Sequence, residues 1–169
     1  MQKKNKLTKA AFLRGWGLPK TFQYRSLRYK TPPEKGVYWY YISLFVRKRD
    51  VEKYGVCISC GKPITVETSN AGHFMPASSC GRDLLFYLRN LNAECPHCNA
   101  WDETHLLGYA ENLDKRYGKC TADALRSLRA TYLDGDRVKD WTAKEYAQKI
   151  IELGNYPQEV LDFYNENYL

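Results

Sequence analysis

No run of 18 apolar residues occurs anywhere in this chain, so no transmembrane helix of ordinary length is expected. The opening Met1-Gln2-Lys3-Lys4-Asn5-Lys6 is basic, but no uninterrupted apolar segment follows it, so a secretory signal is not expected either. Internal repeats and low-complexity stretches are lacking, and the 169 residues read as one domain, or one domain with appended helices, long enough to bury a core. Acids are scarce at the start. Residues 1–50 hold 13 Lys or Arg against only Glu34 and Asp50, whereas residues 51–169 hold 13 basic and 17 acidic residues, within a formal net charge of +7. A basic first third on a mildly acidic remainder is the layout of an electrostatic arm for nucleic acid.

What the chain does have is two Cys-x-x-Cys knuckles, Cys57-Ile58-Ser59-Cys60 and Cys95-Pro96-His97-Cys98. Pairs at this spacing suit a structural zinc with four thiolate ligands, which closes the intervening chain into a loop. Six cysteines could instead form three disulfides in a secreted protein. Without an export signal, free thiols in a reducing cytoplasm fit better, with Cys80 and Cys120 outside the site. A zinc held by four sulfurs has no open position and does no chemistry itself, so its service is to fix its neighbours. Those neighbours include His73, Arg82, Arg89, Asn90, Asn92, Asn99, Asp102, Glu103 and His105. A histidine base with asparagines and acids suits a nuclease centre that uses a second divalent metal, while a zinc module that only binds is the plainer alternative.

The sequence organises coarsely as follows. Residues 1–33 are basic and extended near Thr31-Pro32-Pro33, and 35–53 form a long amphipathic helix stopped near Gly55. Residues 56–75 form the first knuckle and a β-hairpin, with Ile64, Val66 and His73 extended. A loop over 76–89 exposes Arg82, and a helix runs from near Asn99 toward Arg116. Thr121 caps a helix over 122–133, and Asp134-Gly135-Asp136 turns. Thr142 with Glu145 is a capping box for a helix ending at Gly154, and Pro157 begins a last one. Aromatics interleave the basic stretch at Phe22, Tyr24, Tyr29, Tyr38, Trp39, Tyr40 and Tyr41. Over 1–30 they suit base stacking beside Lys3, Lys4, Lys6, Arg25 and Arg28 on phosphates. Over 37–53 an apolar face of Tyr40, Tyr41, Leu44 and Phe45 packed on the core is favoured.

Several segments together resemble the HNH nuclease pattern: Cys57-Ile58-Ser59-Cys60-Gly61, Ala71-Gly72-His73-Phe74, Arg89-Asn90-Leu91-Asn92-Ala93-Glu94-Cys95 and Cys98-Asn99. More narrowly, the chain resembles the lambdoid-phage recombination endonucleases called NinG or Rap, which cut Holliday junctions and D-loops. The likeness runs from Tyr38-Trp39 and Arg47-Lys48-Arg49-Asp50 through Leu107-Gly108-Tyr109 to Lys115-Arg116-Tyr117-Gly118, about half the chain. Its knuckles and Cys98-Asn99 are also similar to those of phage endonuclease VII. The resemblance implies an α+β fold, mainly helical overall, with a zinc-stabilised HNH (ββα-metal) core and flanking helices. The expected organisation is a basic arm over 1–34, the core with its leading helix over 35–118 and a helical region over 119–169. Three positions depart from the pattern. Many HNH enzymes place Asp or His where this chain has Gly72, a departure the NinG-like proteins share. Those proteins often carry Asp at the position of Asn70 and His at that of Asn92.

On this resemblance His73 is the general base and Mg²⁺ or Mn²⁺ the catalytic metal, while a zinc-proximal packing role for His73 stays open. Asn99 is the first candidate ligand. Asp102 and Glu103, three and four residues on, would share its helix face, with His105 a neighbour of Asp102. Asn90 would tie the loop to the strand through hydrogen bonds. Arg82 and Arg89 are phosphate contacts or solvated surface residues. His97 is a surface residue or phosphate contact. The expected function is cleavage of branched DNA by a phage protein in the host cytoplasm, and a zinc-stabilised DNA-binding protein with a defective metal centre is the alternative. A homodimer through the helices after Lys119, using Leu125, Leu128, Tyr146, Ile150, Leu153, Val160, Leu161 and Phe163, competes with a monomer whose core those helices cover.

Overall fold

The computed structural model describes residues 33–80, 82–102, 104–134, 141–153 and 165–166. The basic arm with Lys3, Lys4, Lys6, Arg25 and Arg28, the side chain of Arg82, Glu103, and the helix expected from Pro157 with Val160, Leu161 and Phe163 lie outside what is described. The architecture is mostly helical with one small two-stranded sheet. Two compact units share it. One contains residues 33–41 and 141–153 and the other contains 42–134.

Helix α1 (Pro33–Lys53) begins on a proline whose fixed φ suits a first helical position, with Glu34 in its first turn and Lys53 in its last. Beyond Glu34 and Gly36 at its start, its buried residues are Val37, Tyr38, Tyr41, Ile42, Val46 and Asp50, a stripe spaced by three and four. That stripe is rotated from the expected face. Tyr41 lies on it, whereas Tyr40 and Leu44 are half-buried and Phe45 is exposed. In the smaller unit, Tyr38 packs edge-on against Trp141 and tilted against Tyr146, with centroids 6.0 Å away in both cases. Helix α6 (Ala143–Glu152) carries the expected capping box, with Thr142 Oγ1 accepting from the Glu145 backbone N–H and Glu145 accepting from that of Thr142.

The sheet pairs β1 (Asn70–His73) with β2 (Leu91–Glu94) in antiparallel register, Gly72 opposite Asn92 and Asn70 opposite Glu94. The hairpin expected within 56–75 does not form. Ile64 and Val66 lie outside the strands, and Val56 makes only an isolated bridge with Pro63. Local polar bonds divert the chain there: the Thr65 N–H donates to Thr68 Oγ1, and Ser69 Oγ donates to the Thr65 carbonyl. The strand connection is also more structured than a loop, with a 3₁₀ turn (Ala77–Ser79) and the short helix α2 (Arg82–Leu85).

After β2 the helix expected from Asn99 to Arg116 is two helices, α3 (Pro96–Ala100) and α4 (His105–Tyr117). Pro96 starts the first inside the knuckle, so it is spent by Trp101. Asp102 then accepts from both the N–H and the hydroxyl of Thr104, a local turn that competes with helix and restarts the chain in a new direction. Helix α5 (Thr121–Asp134) follows, its early Ala122 N–H capped by Asp114. Ala122 and Leu125 join Ile58, Phe74, Met75, Leu84, Tyr109 and Leu113 in one core. Leu125, Tyr146 and Ile150, offered for a dimer face, are buried in the fold.

Asp50 ties α1 to this core. It is fully buried; its Oδ2 accepts from the Ala93 N–H at 2.7 Å, and Arg49 Nε sits 2.6 Å from Oδ1. Arg116 of α4 reaches Oδ2 at 3.5 Å while its guanidinium stacks 3.9 Å from the Tyr54 ring centroid. Arg49 also donates to the carbonyls of Leu88 and Leu91, beside and within β2. Removing the carboxylate would strand a buried N–H and two guanidiniums. Asp50→Ala should therefore cost about 3–5 kcal/mol in urea unfolding, whereas replacement of the exposed Asp123 should cost under about 0.5 kcal/mol. Equal effects would deny Asp50 this role.

Candidate functional site

Each knuckle is shaped by its own backbone. In the first, the Cys57 N–H donates to the Lys62 carbonyl and the Gly61 N–H to that of Cys57. In the second, Cys95 is the last residue before α3 and Cys98 lies within that helix. The two meet because the Ile58 N–H donates to the Ala93 carbonyl of β2 at 3.1 Å. The sulfurs of Cys57, Cys60, Cys95 and Cys98 all lie within 4.8 Å of one another, with Cys60 and Cys95 at 3.8 Å. A tetrahedral zinc with ligands at about 2.3 Å sets its sulfurs about 3.8 Å apart. The donor set fits. Burial, followed by the neighbouring thiols, holds the Cys98 thiol far above its ordinary value, a penalty a bound dication would relieve. Cys80 and Cys120 stand outside the cluster, and all six cysteines are free of disulfides.

Helix α4 buttresses the first knuckle at unusually short range. A Cβ on Gly108 would lie 2.0 Å from the Ser59 carbonyl oxygen, so no side chain is tolerated there. One turn on, Asn112 Nδ2 donates to the Ile58 carbonyl at 2.7 Å.

His73 is the last residue of β1 and is half-buried. Its Nε2 lies 2.9 Å from the Leu85 carbonyl oxygen, which can only accept, so the neutral ring carries its proton on Nε2 and a lone pair on Nδ1. Burial, opposed by that hydrogen bond, lowers its pKa below the ordinary imidazole value, which favours the neutral form. Asn90 closes the strand connection as expected. Its Oδ1 accepts from the Met75 N–H at 2.7 Å, and its Nδ2 donates to the carbonyls of Leu84 and Met75.

Asn92 is a core residue. Fully buried, it donates to the Arg89 carbonyl and accepts from Tyr117 Oη at 2.8 Å. Tyr109 Oη in turn donates to the Gly72 carbonyl at 2.9 Å. The departure at Asn92 thus concerns the packing beneath β1.

Gly72 is different. A Cβ there would sit 1.7 Å from Glu94 Oε2 and 2.9 Å from Asn99 Oδ1, so its place is filled from across the sheet and from α3. Glu94 is buried and takes a 2.5 Å hydrogen bond from Ser59 Oγ on its other oxygen. It was not among the sequence candidates. Its signal was the alternation along β2, which puts residues 92 and 94 on the side of the strand that faces Gly72. Asn99 is exposed, and its side chain has no hydrogen-bond partner among the described residues.

The helix break removes the periodicity that linked Asp102 to Asn99. Asp102 caps the turn before α4, and its carboxyl is held below the usual range by the Thr104 hydroxyl and N–H. His105 donates from Nδ1 to the Asp102 carbonyl at 2.5 Å, and burial raises the Glu94 carboxyl above its ordinary value, with Ser59 and His105 opposing. His97 and Arg89 are surface residues.

A family model described as Bacteriophage Lambda NinG protein matches residues 40–155. Protein ninG of Escherichia phage lambda is 29% identical over 125 residues, covering 70% of this chain and 56% of that protein. Protein ninG of Escherichia phage 933W gives 29% identity over 125 residues, covering 70% and 57%. Protein ninG of Salmonella phage P22 gives 30% over 119 residues, covering 66% and 53%. The chain spans about half the length of the curated relatives it matches. No solved structure matches it.

Elemental analysis of the purified chain should find one zinc per molecule. Any of Cys57, Cys60, Cys95 or Cys98 changed to Ser should lose the metal and melt the unit, since structural zinc supplies on the order of 10 kcal/mol in small modules. Cys80→Ser and Cys120→Ser should keep it. Zinc loss in either of those two, or none in the native chain, would refute the four-cysteine assignment.

Proposed function

The chain belongs to the bacteriophage lambda NinG family, and from that premise we propose that it is a metal-dependent endonuclease of the HNH type acting on branched DNA. The observation that carries the reading is His73 with its proton committed to the Leu85 carbonyl, beside a strand position crowded by the oxygens of Glu94 and Asn99. A histidine so held presents Nδ1 as a base.

In the reaction, His73 Nδ1 takes a proton from water as the oxygen attacks phosphorus. The bond to the leaving 3′ oxygen breaks, that oxygen keeps the bonding electron pair and takes a proton from a solvent water, and the products are a 5′-phosphate and a 3′-hydroxyl. Leu85 keeps the ring oriented, and Asn90 fixes the carbonyls around it through Met75 and Leu84. Asn99 and His105 would hold a divalent ion; when bound, Mg²⁺ or Mn²⁺ neutralises charge on the phosphoryl and leaving oxygens. Arg89 and the basic 1–30 segment would meet phosphates, and cleavage of both arms of a junction would use two copies. Phage recombination in the host cytoplasm is the setting this reading implies. The alternative, a DNA-binding protein without cleavage, gains its support from Gly72, which offers no ligand.

His73→Ala should abolish Mg²⁺- or Mn²⁺-dependent nicking of a synthetic four-way junction while leaving junction affinity within about twofold, because a general base acts mainly in the transition state. Since burial lowers the His73 pKa, the acid limb of the pH–rate profile should lie below the ordinary imidazole value of 6.5, activity falling as pH drops through it. Wild-type nicking by the variant would move the base elsewhere. Deleting residues 1–30 should weaken junction binding and flatten its salt dependence; an unchanged slope would assign that segment to another partner.

A further inference from the structure

We infer that Glu94 is a ligand for a divalent cation, its carboxylate delivered from β2 into the place a side chain on residue 72 would occupy, with Asn99 as its companion. Glu94 Oε2 and Asn99 Oδ1 both lie within 2.9 Å of one point, the position of a Cβ on Gly72. Both are acceptors, and no hydrogen-bond donor among the described residues reaches either oxygen. Two acceptors converging on one spot repel unless a proton or a cation stands between or beside them. Glu94 is 1% exposed, and a carboxylate that buried is held by pairing or by a metal.

The other carboxylate oxygen is already committed. Ser59 Oγ donates to Oε1, which fixes the group's rotation and turns Oε2 toward Gly72. Ser59 lies inside the first knuckle, and Glu94 and Asn99 directly flank Cys95 and Cys98 of the second. The two oxygens are therefore carried by residues next in sequence to the knuckle cysteines. Hard oxygen donors in this pairing select Mg²⁺ or Mn²⁺, with water filling the remaining positions, while the soft sulfurs select zinc. Gly72 thus leaves the centre with its carboxylate, supplied by a neighbouring strand.

What the cation does there rests on the nuclease reading, but its binding can be measured apart from it. The probe is Mn²⁺ added to zinc-loaded protein, followed by electron paramagnetic resonance and by calorimetry. Glu94→Gln keeps the shape and removes the charge, and should weaken Mn²⁺ binding about tenfold or more, since even outer partners of metal ligands cost that much. Asn99→Ala, at an exposed position that the fold tolerates, should weaken it comparably. The double variant Gly72→Asp with Glu94→Ala returns a carboxylate to the same point from β1, and should recover Mn²⁺ affinity relative to Glu94→Ala. Zinc content and far-ultraviolet dichroism report folding in each case. Unchanged Mn²⁺ affinity in both folded Glu94→Gln and Asn99→Ala overturns the assignment, even if the protein cleaves DNA. Glu94-dependent Mn²⁺ binding without cleavage of any branched substrate upholds it and defeats the nuclease reading instead.

Discussion

Four sulfurs brought within bonding distance of one centre are the constraint on which the larger unit depends. Chain segments 34 residues apart meet there, and a small sheet of four residues per strand is too short to hold itself together. The cluster's neighbours inherit its rigidity: Ser59 lies inside one knuckle, and Glu94 and Asn99 abut the other. Displacing a sulfur by a few tenths of an ångström would displace those oxygens by a similar amount, because only one or two peptide units separate them.

Around that cluster the fold shows a division of labour among polar groups. Asp50 gathers α1, β2 and the end of α4 through one carboxylate, and its role is entirely architectural. Asn92 and Tyr109 form a second buried set beneath Gly72. Glu94 Oε2 and Asn99 Oδ1, by contrast, both reach toward Gly72 of β1. A buried polar group with all its bonds made is scaffold; one with a bond outstanding is available for a ligand.

Much of this was legible in residue order. The knuckles announce their cluster by spacing alone, and Thr142 with Glu145 announces its helix by side-chain chemistry. Asn90 closes its loop as expected. The register of the sheet was not legible, because its two strands lie far apart in sequence and the Thr65–Thr68 turn consumes the segment that reads as a nearer partner. The break between α3 and α4 was missed because helical periodicity continues across it, while the competing bonds from Asp102 are visible only in three dimensions. Glu94 was overlooked for a related reason. A glutamate beside a cysteine ligand looks like solvated surface until cross-strand geometry turns it toward Gly72.

The Asn90 clamp has a further consequence. It binds Met75 at one end of the strand connection and Leu84 near the other, so the segment between them enters and leaves at a fixed gap. Its length is then decoupled from the sheet. Insertions and deletions there can accumulate without shifting strand register, whereas the four-residue step from Cys95 to Asn99 admits none. The enclosed segment is thus free to differ in length beside a centre whose spacing is frozen.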